Sequence, residues 1–572
     1  MSQHGRLRLL ATTDLHMALR GWDYYRASEW EGHGLARLAP LLRAAREEVL
    51  QTGDLALLFD NGDAQQGTPL GETAVTMSEQ DNHPLMLCFD KLGYDAIGLG
   101  NHDFNFGLNA LSDALNHAPC PVVCTNLEWH VPTPPSVTKS VVLNRSLQGR
   151  SIRIGVMGFI PPQTVLWDSH LLSGKATVPD IVDSAKREIT YLQDTGCDII
   201  VALAHSGIGS QDHEPGMENA LGPLSKIAGL DAIIGGHTHE PFAGHLRDDQ
   251  TTASVPPIAL AGAYGMQAGQ IDLMLEHTGA RWQPTGSAVK LLTPAADAPE
   301  ARDVLDAIEP WHARTVALMD TRVGSTPQPL HSYFSLFGPD AGLAAVAAAQ
   351  AEAVREQLDA DVPLLSAVAP CKFGGRNGPT YYTDVPRGPI TLRHLADLHI
   401  YPNELRALEI SGAVLFEWLE KSASCYTTIA PEATGQPLLD PAFPSHNFDV
   451  IFGISYKIDL RAAPRYTDLV AEPISSSRRI SEVRYLDQPV QIGDRFIVVT
   501  NNYLANGGGN FPGLPQQKKH LIRPQTILDA LSKWARRSEH ARMTYPEQPW
   551  RFAPIPGSEV VVRTGLGARG YL

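Results

Sequence analysis

Short apolar runs alternate with longer amphipathic stretches through the first half of the chain. Residues 7–12, 55–59, 96–99, 199–204 and 232–234 are rich in Leu, Ile, Val and Ala and bounded by Gly, Asp or His, the pattern of buried strands. Residues 34–50 and 182–192 carry helical periodicity, so strands alternate with helices as in a layered α/β domain. Sheet-like sequence continues through 258–261 and 270–275 to about 292, where a Pro/Ala-rich stretch, 293–299, leads into a helical pattern over 300–319. The second half opens on an Ala-rich helix at 341–353 and proceeds in strands, Gly-rich turns and aromatic residues. The chain therefore divides into a first domain over 1–296, a linker helix within 297–322 and a second domain over 323–572. No internal repeat is visible. Near the end, Trp550-Arg551-Phe552 is expected to pack back on the body, and the Gly-rich terminus to fray.

The residues that end the apolar runs change the picture. Five blocks follow strands: Asp14-Leu15-His16, Asp60-Asn61-Gly62-Asp63, Gly100-Asn101-His102-Asp103, His205 and Gly236-His237-Thr238-His239. Each block alone fits ordinary loop chemistry. His237 and His239 place two imidazoles on one side of an extended segment. Five such blocks at strand ends can meet on one sheet edge, where open α/β sheets build their sites. Carboxylate, imidazole and amide oxygen donors without thiolate suit Mn, Zn, Fe or Co. Hydrolytic two-metal centres hold their ions about 3.5–4 Å apart and share a hydroxide that attacks phosphorus in line. His102, beside Asn101, is left over to protonate a leaving alkoxide or bind a phosphoryl oxygen.

Composition narrows the partners. A chain of 572 residues with 43% hydrophobic and 19% charged residues is an ordinary globular protein large enough for two or more cores. Its net charge of −16 argues against a general nucleic-acid surface. Two dications with two aspartates and one hydroxide would still leave a local formal charge of about +1, enough to attract a phosphate. Cys88, Cys120, Cys124, Cys197, Cys371 and Cys425 follow no disulfide or zinc pattern and are expected as free thiols. The N-terminus runs directly into the first strand without a secretory signal, which points to the cytoplasm, and no apolar run reaches the roughly 18 residues of a membrane span.

The ordered blocks resemble those of the calcineurin-like metallophosphoesterase superfamily, in the nucleotidase branch, and the likeness extends over nearly the whole chain. Ala369-Pro-Cys-Lys-Phe-Gly-Gly-Arg376, His399-Ile-Tyr-Pro-Asn-Glu-Leu405, Asn447-Phe-Asp-Val-Ile-Phe-Gly-Ile-Ser-Tyr456 and Thr500-Asn-Asn-Tyr-Leu-Ala-Asn-Gly-Gly-Gly509 resemble the bifunctional 2′,3′-cyclic-nucleotide 2′-phosphodiesterase/3′-nucleotidase family in particular. The resemblance implies a four-layer α/β/β/α catalytic domain and a C-terminal α/β nucleotide-recognition domain, with the active site in the cleft between them. It places Asp14, His16, Asp63 and His239 on one metal, Asp63, Asn101, His205 and His237 on the other, and His102 at the catalytic histidine. Two aromatic rings sandwich the base in related nucleotidases, and these positions fall on Tyr401 and Tyr503, with Asn403 beside the first. Without the resemblance, each tyrosine reads rather as a core residue with a bonded hydroxyl. Arg376 falls where relatives meet the phosphate or ribose.

The implied reaction is hydrolysis of 2′,3′-cyclic nucleotides to 3′-nucleotides, then of these to nucleoside and phosphate, by a metal-bridging hydroxide with His102 as acid. Expected partners are these nucleotides, two divalent metal ions of unspecified identity, no nucleic-acid polymer and no membrane, with the protein a monomer. The 5′-nucleotidases carry an Asp where Asn105 stands, which agrees with the 3′-nucleotidase group and leaves open what orients His102. The alternatives are a 5′-nucleotidase or nucleotide-sugar hydrolase using the same site, or a metal-stabilised nucleotide-binding protein without turnover. Family members are usually exported, so the resemblance implies the periplasm where the N-terminus points to the cytoplasm.

Overall fold

The computed structural model describes residues 3–572 apart from 78–81, 133–135, 247–254, 359–360, 376–377, 402, 441–446, 468–469 and 538–541. The chain forms two compact units, Met1–Ala317 and Leu318–Leu572.

The first unit contains two six-stranded sheets. In one, Gln3–Thr12, Leu55–Asp60, Ala96–Gly98 and Val122–Val123 run parallel, Ala268–His277 pairs antiparallel with Gln3–Thr12, and Trp282–Leu292 pairs antiparallel with Ala268–His277. In the other, Arg150–Phe159, Ile199–Ala204, Ala232–Gly235 and Ile258–Ala261 run parallel. Near-continuous apolar strands are what two-sided burial requires, because alternate side chains serve different layers. Leu7, Leu9, Leu57 and Phe59 share a core with Ile154, Val156, Val201 and Leu203, so the two sheets pack face to face. Leu10 and Leu58 point the other way, against Leu35, Leu38 and Leu42 of helix Leu35–Leu50. On the far side, Ile200, Ala202 and Ala204 meet Ile181, Ala185 and Ile189 of helix Ile181–Asp194. The result is the helix–sheet–sheet–helix order expected for the first domain. The helix after the Pro/Ala-rich stretch is Arg302–Met319, and its Val304, Ile308 and Trp311 are buried with the outer helices of this unit.

The second unit is also α/β. A five-stranded sheet runs Val450–Phe452, Leu364–Val368, Arg495–Asn501, Leu405–Ser411, Lys518–His520, and a four-stranded sheet ends on Trp550–Phe552. Helices Ala341–Arg355, Gly412–Ser422 and Ile527–Arg536 bury their apolar faces in one core with the larger sheet. Trp550 packs into that core as expected. The terminus does not fray as its glycine content suggested. Gly565 and Gly567 let the rings of Tyr382 and Tyr333 approach the backbone closely, Ala568 is buried between them, and the hydroxyls of Tyr333 and Tyr571 both donate to Asp384. All six cysteines are free thiols. Among the described residues, no helix is long and apolar enough to cross a membrane.

Candidate metal centre

Parallel strands put their C-terminal ends on one edge, and in the first unit both sheets do so. Thr12 leads to Asp14 and His16, Asp60 to Asp63, Gly98 to Asn101 and His102, Ala204 to His205, and Gly235 to His237 and His239. Two triads of donor atoms result: Asp14, His16 and His239, and Asp63, His205 and His237. Asp14, His16, Asp63, His237 and His239 all adopt positive φ, from 49° to 73°. Such left-handed backbone costs energy in a non-glycine residue and persists only where the surroundings impose it. Glycines make room: a β-carbon at Gly100 would overlap Asp63 Oδ1, and one at Gly236 would overlap Thr13 Oγ1 and crowd Asp14 Oδ2.

The hydrogen bonds behind the histidines decide which nitrogens face inward. His16 Nδ1 lies 2.7 Å from Gln66 O, His205 Nδ1 2.9 Å from Asn61 O, and His237 Nε2 2.8 Å from Glu218 Oε1. These oxygens only accept, so each of those nitrogens carries the hydrogen and the opposite nitrogen of a neutral ring carries a lone pair. The inward nitrogens crowd other polar atoms: His16 Nε2 is 3.0 Å from His239 Nε2, His205 Nε2 2.9 Å from Asp63 Oδ2, and His237 Nδ1 3.0 Å from Asn101 Oδ1. Asp14 and His205 are wholly buried, and Asp63 is 1% exposed. Buried carboxylates and imidazole nitrogens packed this closely need positive charge between them. Burial opposes charging of His205, yet Asp63 and Asp14 draw its pKa up to about 10. Burial likewise disfavours the ionised carboxyls, but His205 leads the neighbours that hold Asp14 and Asp63 below the ordinary range. Two divalent cations fit this donor set, with oxygen and imidazole ligands and no thiolate.

Further residues order the site. Asp103 accepts N–H bonds from Asp63, Ala64, Gln65 and Gly100 at 2.8–3.1 Å, tying two donor loops together. Burial and the nearby Asp63 lift its pKa to about 6. The His102 backbone N–H donates to Asp63 Oδ1 at 2.7 Å, and its ring meets that of His16 edge-on at 5.4 Å. His102 Nδ1 lies 2.7 Å from Asn105 Oδ1, and Asn105 Nδ2 lies 2.8 Å from Asp168 Oδ2. Trp167 stacks on the His237 ring at 5.7 Å, and Tyr264 lies 5.2 Å from the His16 ring. Sequence reasoning assigned no role to Asp103, Asp168, Trp167, Glu218 or Tyr264. Strand Arg150–Phe159, whose alternation marks it as buried, was the available signal for the segment carrying Trp167 and Asp168. Glu218 sits in a loop without such a mark.

In the second unit, Leu405 and Asn501 are paired across antiparallel strands, so Tyr401 and Asn403, before the first, and Tyr503, after the second, lie at one sheet edge. Glu404 N–H donates to Asn502 Oδ1 and Asn502 N–H to Glu404 O, both at 2.9 Å. Asn403 O accepts from Ile527 N–H at 2.9 Å. Tyr401 is 38% exposed, whereas Tyr503 is half-buried, with its hydroxyl oxygen accepting from Gly509 N–H at 3.0 Å. Arg376 lies outside the described residues.

Residues 7–241 match the calcineurin-like phosphoesterase family model, and residues 323–516 match that of the 5′-nucleotidase C-terminal domain. The chain is 34% identical, over 96% of its length and 89% of the relative's, to the 2′,3′-cyclic-nucleotide 2′-phosphodiesterase/3′-nucleotidase of Salmonella typhimurium. It is also 34% identical, over 99% of its length, to the Trifunctional nucleotide phosphoesterase protein YfkN of Bacillus subtilis, of which it spans 40%. The crystal structure of a putative 5′-nucleotidase from Staphylococcus aureus shares the fold, with a TM-score of 0.76 at 19% identity over 96% of this chain and 100% of that one. With a third of its residues shared along almost the full length of both proteins, the chain belongs to the 2′,3′-cyclic-nucleotide 2′-phosphodiesterase/3′-nucleotidase family of calcineurin-like phosphoesterases.

Proposed function

We propose that this chain hydrolyses 2′,3′-cyclic nucleotides to 3′-nucleotides, and these in turn to nucleoside and phosphate, at the convergent Asp/His/Asn edge of its first unit. The observation that carries the proposal is near-full-length identity to a family with that activity, in a chain whose histidine lone pairs and carboxylates converge as a cation site requires. Asp14, His16, Asp63 and His239 would hold one ion and Asp63, Asn101, His205 and His237 the other, with Mn, Zn, Fe and Co all compatible with the donors. Two such ions supply a nucleophile at neutral pH and neutralise the phosphoryl oxygens.

The chain's own residues do the rest. His102 gives the Nε2 proton to the departing ribose oxygen, first the 2′-oxygen of the cyclic diester and then the 3′-oxygen of the monoester. Tyr401 and Tyr503 stack on the two faces of the base, a contact tolerant of base identity. Asn403 and Arg376 complete recognition of the nucleotide. Asn105, where 5′-nucleotidases have Asp, favours this substrate class over a 5′-nucleotidase. The test is a substrate panel on chelated protein reloaded separately with Mn²⁺, Zn²⁺, Fe²⁺ and Co²⁺. Turnover of 2′,3′-cyclic AMP and 3′-AMP with little of 5′-AMP is expected, and the reverse preference would refute the proposal.

A further inference from the structure

His102 is held by two side chains in series. Asp168, 6% exposed, sits between the short helices Thr164–Trp167 and Ser169–Leu172. Its N–H donates to Thr164 O, and its carbonyl accepts from Leu171 and Leu172, so its backbone is pinned. An ionised carboxylate only accepts, so at 2.8 Å the Asn105 amide must turn its NH2 toward Asp168 Oδ2 and its carbonyl oxygen toward the imidazole. That oxygen also only accepts, so His102 Nδ1, 2.7 Å away, carries the hydrogen. Every hydrogen bond in the series thus donates toward Asp168, and Nε2 is left as the nitrogen for proton exchange. The same segment also places Trp167 against the ring of His237, bracing a second site residue from one element.

We propose that Asp168 is a positioning residue for phosphoester cleavage, acting through Asn105 to hold His102 in the Nδ1–H form with Nε2 directed at the leaving oxygen. This rests on the phosphoesterase reading of the site. As the bond from phosphorus to the leaving oxygen breaks, its electron pair stays on that oxygen. The Nε2 proton of the imidazolium then moves to the oxygen, while the oxygen of water bonds to phosphorus and the proton that water loses passes to solvent, from which the imidazole is later recharged. The imidazole left behind is neutral with its hydrogen on Nδ1, the tautomer Asn105 accepts from. A series arrangement of this kind separates orientation from charge: the group touching the ring is a neutral amide, and the carboxylate lies one residue further out.

The test uses the full chain loaded with Mn²⁺, in parental, Asp168→Ala, Asp168→Asn and Asn105→Ala forms, on 3′-AMP and on aryl phosphates of graded leaving-group acidity. An ester with a good leaving group, such as p-nitrophenyl phosphate, needs no acid, whereas ribose and phenol do. Asp168→Ala and Asn105→Ala should each lower kcat on 3′-AMP and phenyl phosphate about 100-fold, the low end of a positioned acid's contribution, with KM and bound metal unchanged. They should leave p-nitrophenyl phosphate turnover near the parental rate. Asp168→Asn, whose amide oxygen still accepts from Asn105, should restore most of the loss. An equal fall on every ester, or loss of metal, would overturn the proposal, and Asn105→Ala decides the matter if Asp168→Ala does not fold. Parental protein that cleaves aryl phosphates but neither 2′,3′-cyclic AMP nor 3′-AMP would instead refute the nucleotidase reading, with the leaving-group comparison still standing.

Discussion

Asp14 and Asp63 in the first unit and Asp449 in the second are all buried carboxylates, yet their chemistry is opposite. Burial pushes the Asp449 carboxyl up to about 7, and the Trp418 indole N–H at 2.8 Å, a neutral donor, offsets that rise only in part. Asp14 and Asp63 suffer the same burial and are held low by the imidazoles around them. One environment asks for a proton and the other for cations. Depth alone therefore does not mark a metal centre; convergence of lone pairs on the carboxylates does. The contrast extends to backbone, since the first site is built from left-handed residues at strand ends, whereas Asp449 immediately precedes the regular strand Val450–Phe452.

The largest effect separates acid from ligand. His102→Ala should lower kcat on 3′-AMP by about 10²–10⁴-fold while bound metal, measured by plasma mass spectrometry, stays at the parental level. His205→Ala should instead empty the site, and similar metal loss in both variants would erase the division of roles. Next, Tyr401→Ala should weaken 3′-AMP binding by about 1–3 kcal/mol, read as a raised KM, with p-nitrophenyl phosphate turnover unaffected. An equal effect on both substrates would place Tyr401 outside base recognition.

Two smaller effects probe the second unit. Asp449 is protonated more readily when folded than at its ordinary 3.8, so its ionisation costs stability. That cost is absent below the ordinary value, grows as pH rises from about 4 to about 7, and is level above. Asp449→Asn should flatten this decline in urea melts across the same range, and an unchanged slope would mean another group carries it. Tyr503→Phe, which removes the acceptor for Gly509 N–H, should cost about 1 kcal/mol and lower Tm slightly, with base stacking retained.

The first unit was legible because its chemistry coincides with its folding pattern. Apolar runs predict the strands, their parallel order brings the ends together, and the residues that stop each run are the donors. The His-x-His and Gly-Asn-His spacings survive folding because they lie within single loops. Asp168 was not legible, since it reaches Asn105 from 63 residues away in sequence, and nothing local marks that contact. Asp103 lay in plain view, but its role as acceptor for four N–H groups appears only when two loops meet. In the second unit, Tyr401 and Tyr503 differ in exposure but not in sequence texture, so periodicity could not tell a stacking ring from a core ring, and the proposal that they stack on a base comes from the resemblance alone. The fray expected at the terminus failed because Gly565 and Gly567 serve close packing against tyrosine rings.

The most direct measurement is the time course of 2′,3′-cyclic AMP hydrolysis followed by phosphorus NMR on metal-loaded protein. The expected sequence is loss of the cyclic diester, transient 3′-AMP without 2′-AMP, and then inorganic phosphate, with both steps slowed in His102→Ala. Release of 2′-AMP as the monoester, or an inert cyclic diester beside rapid cleavage of 5′-AMP, would contradict it.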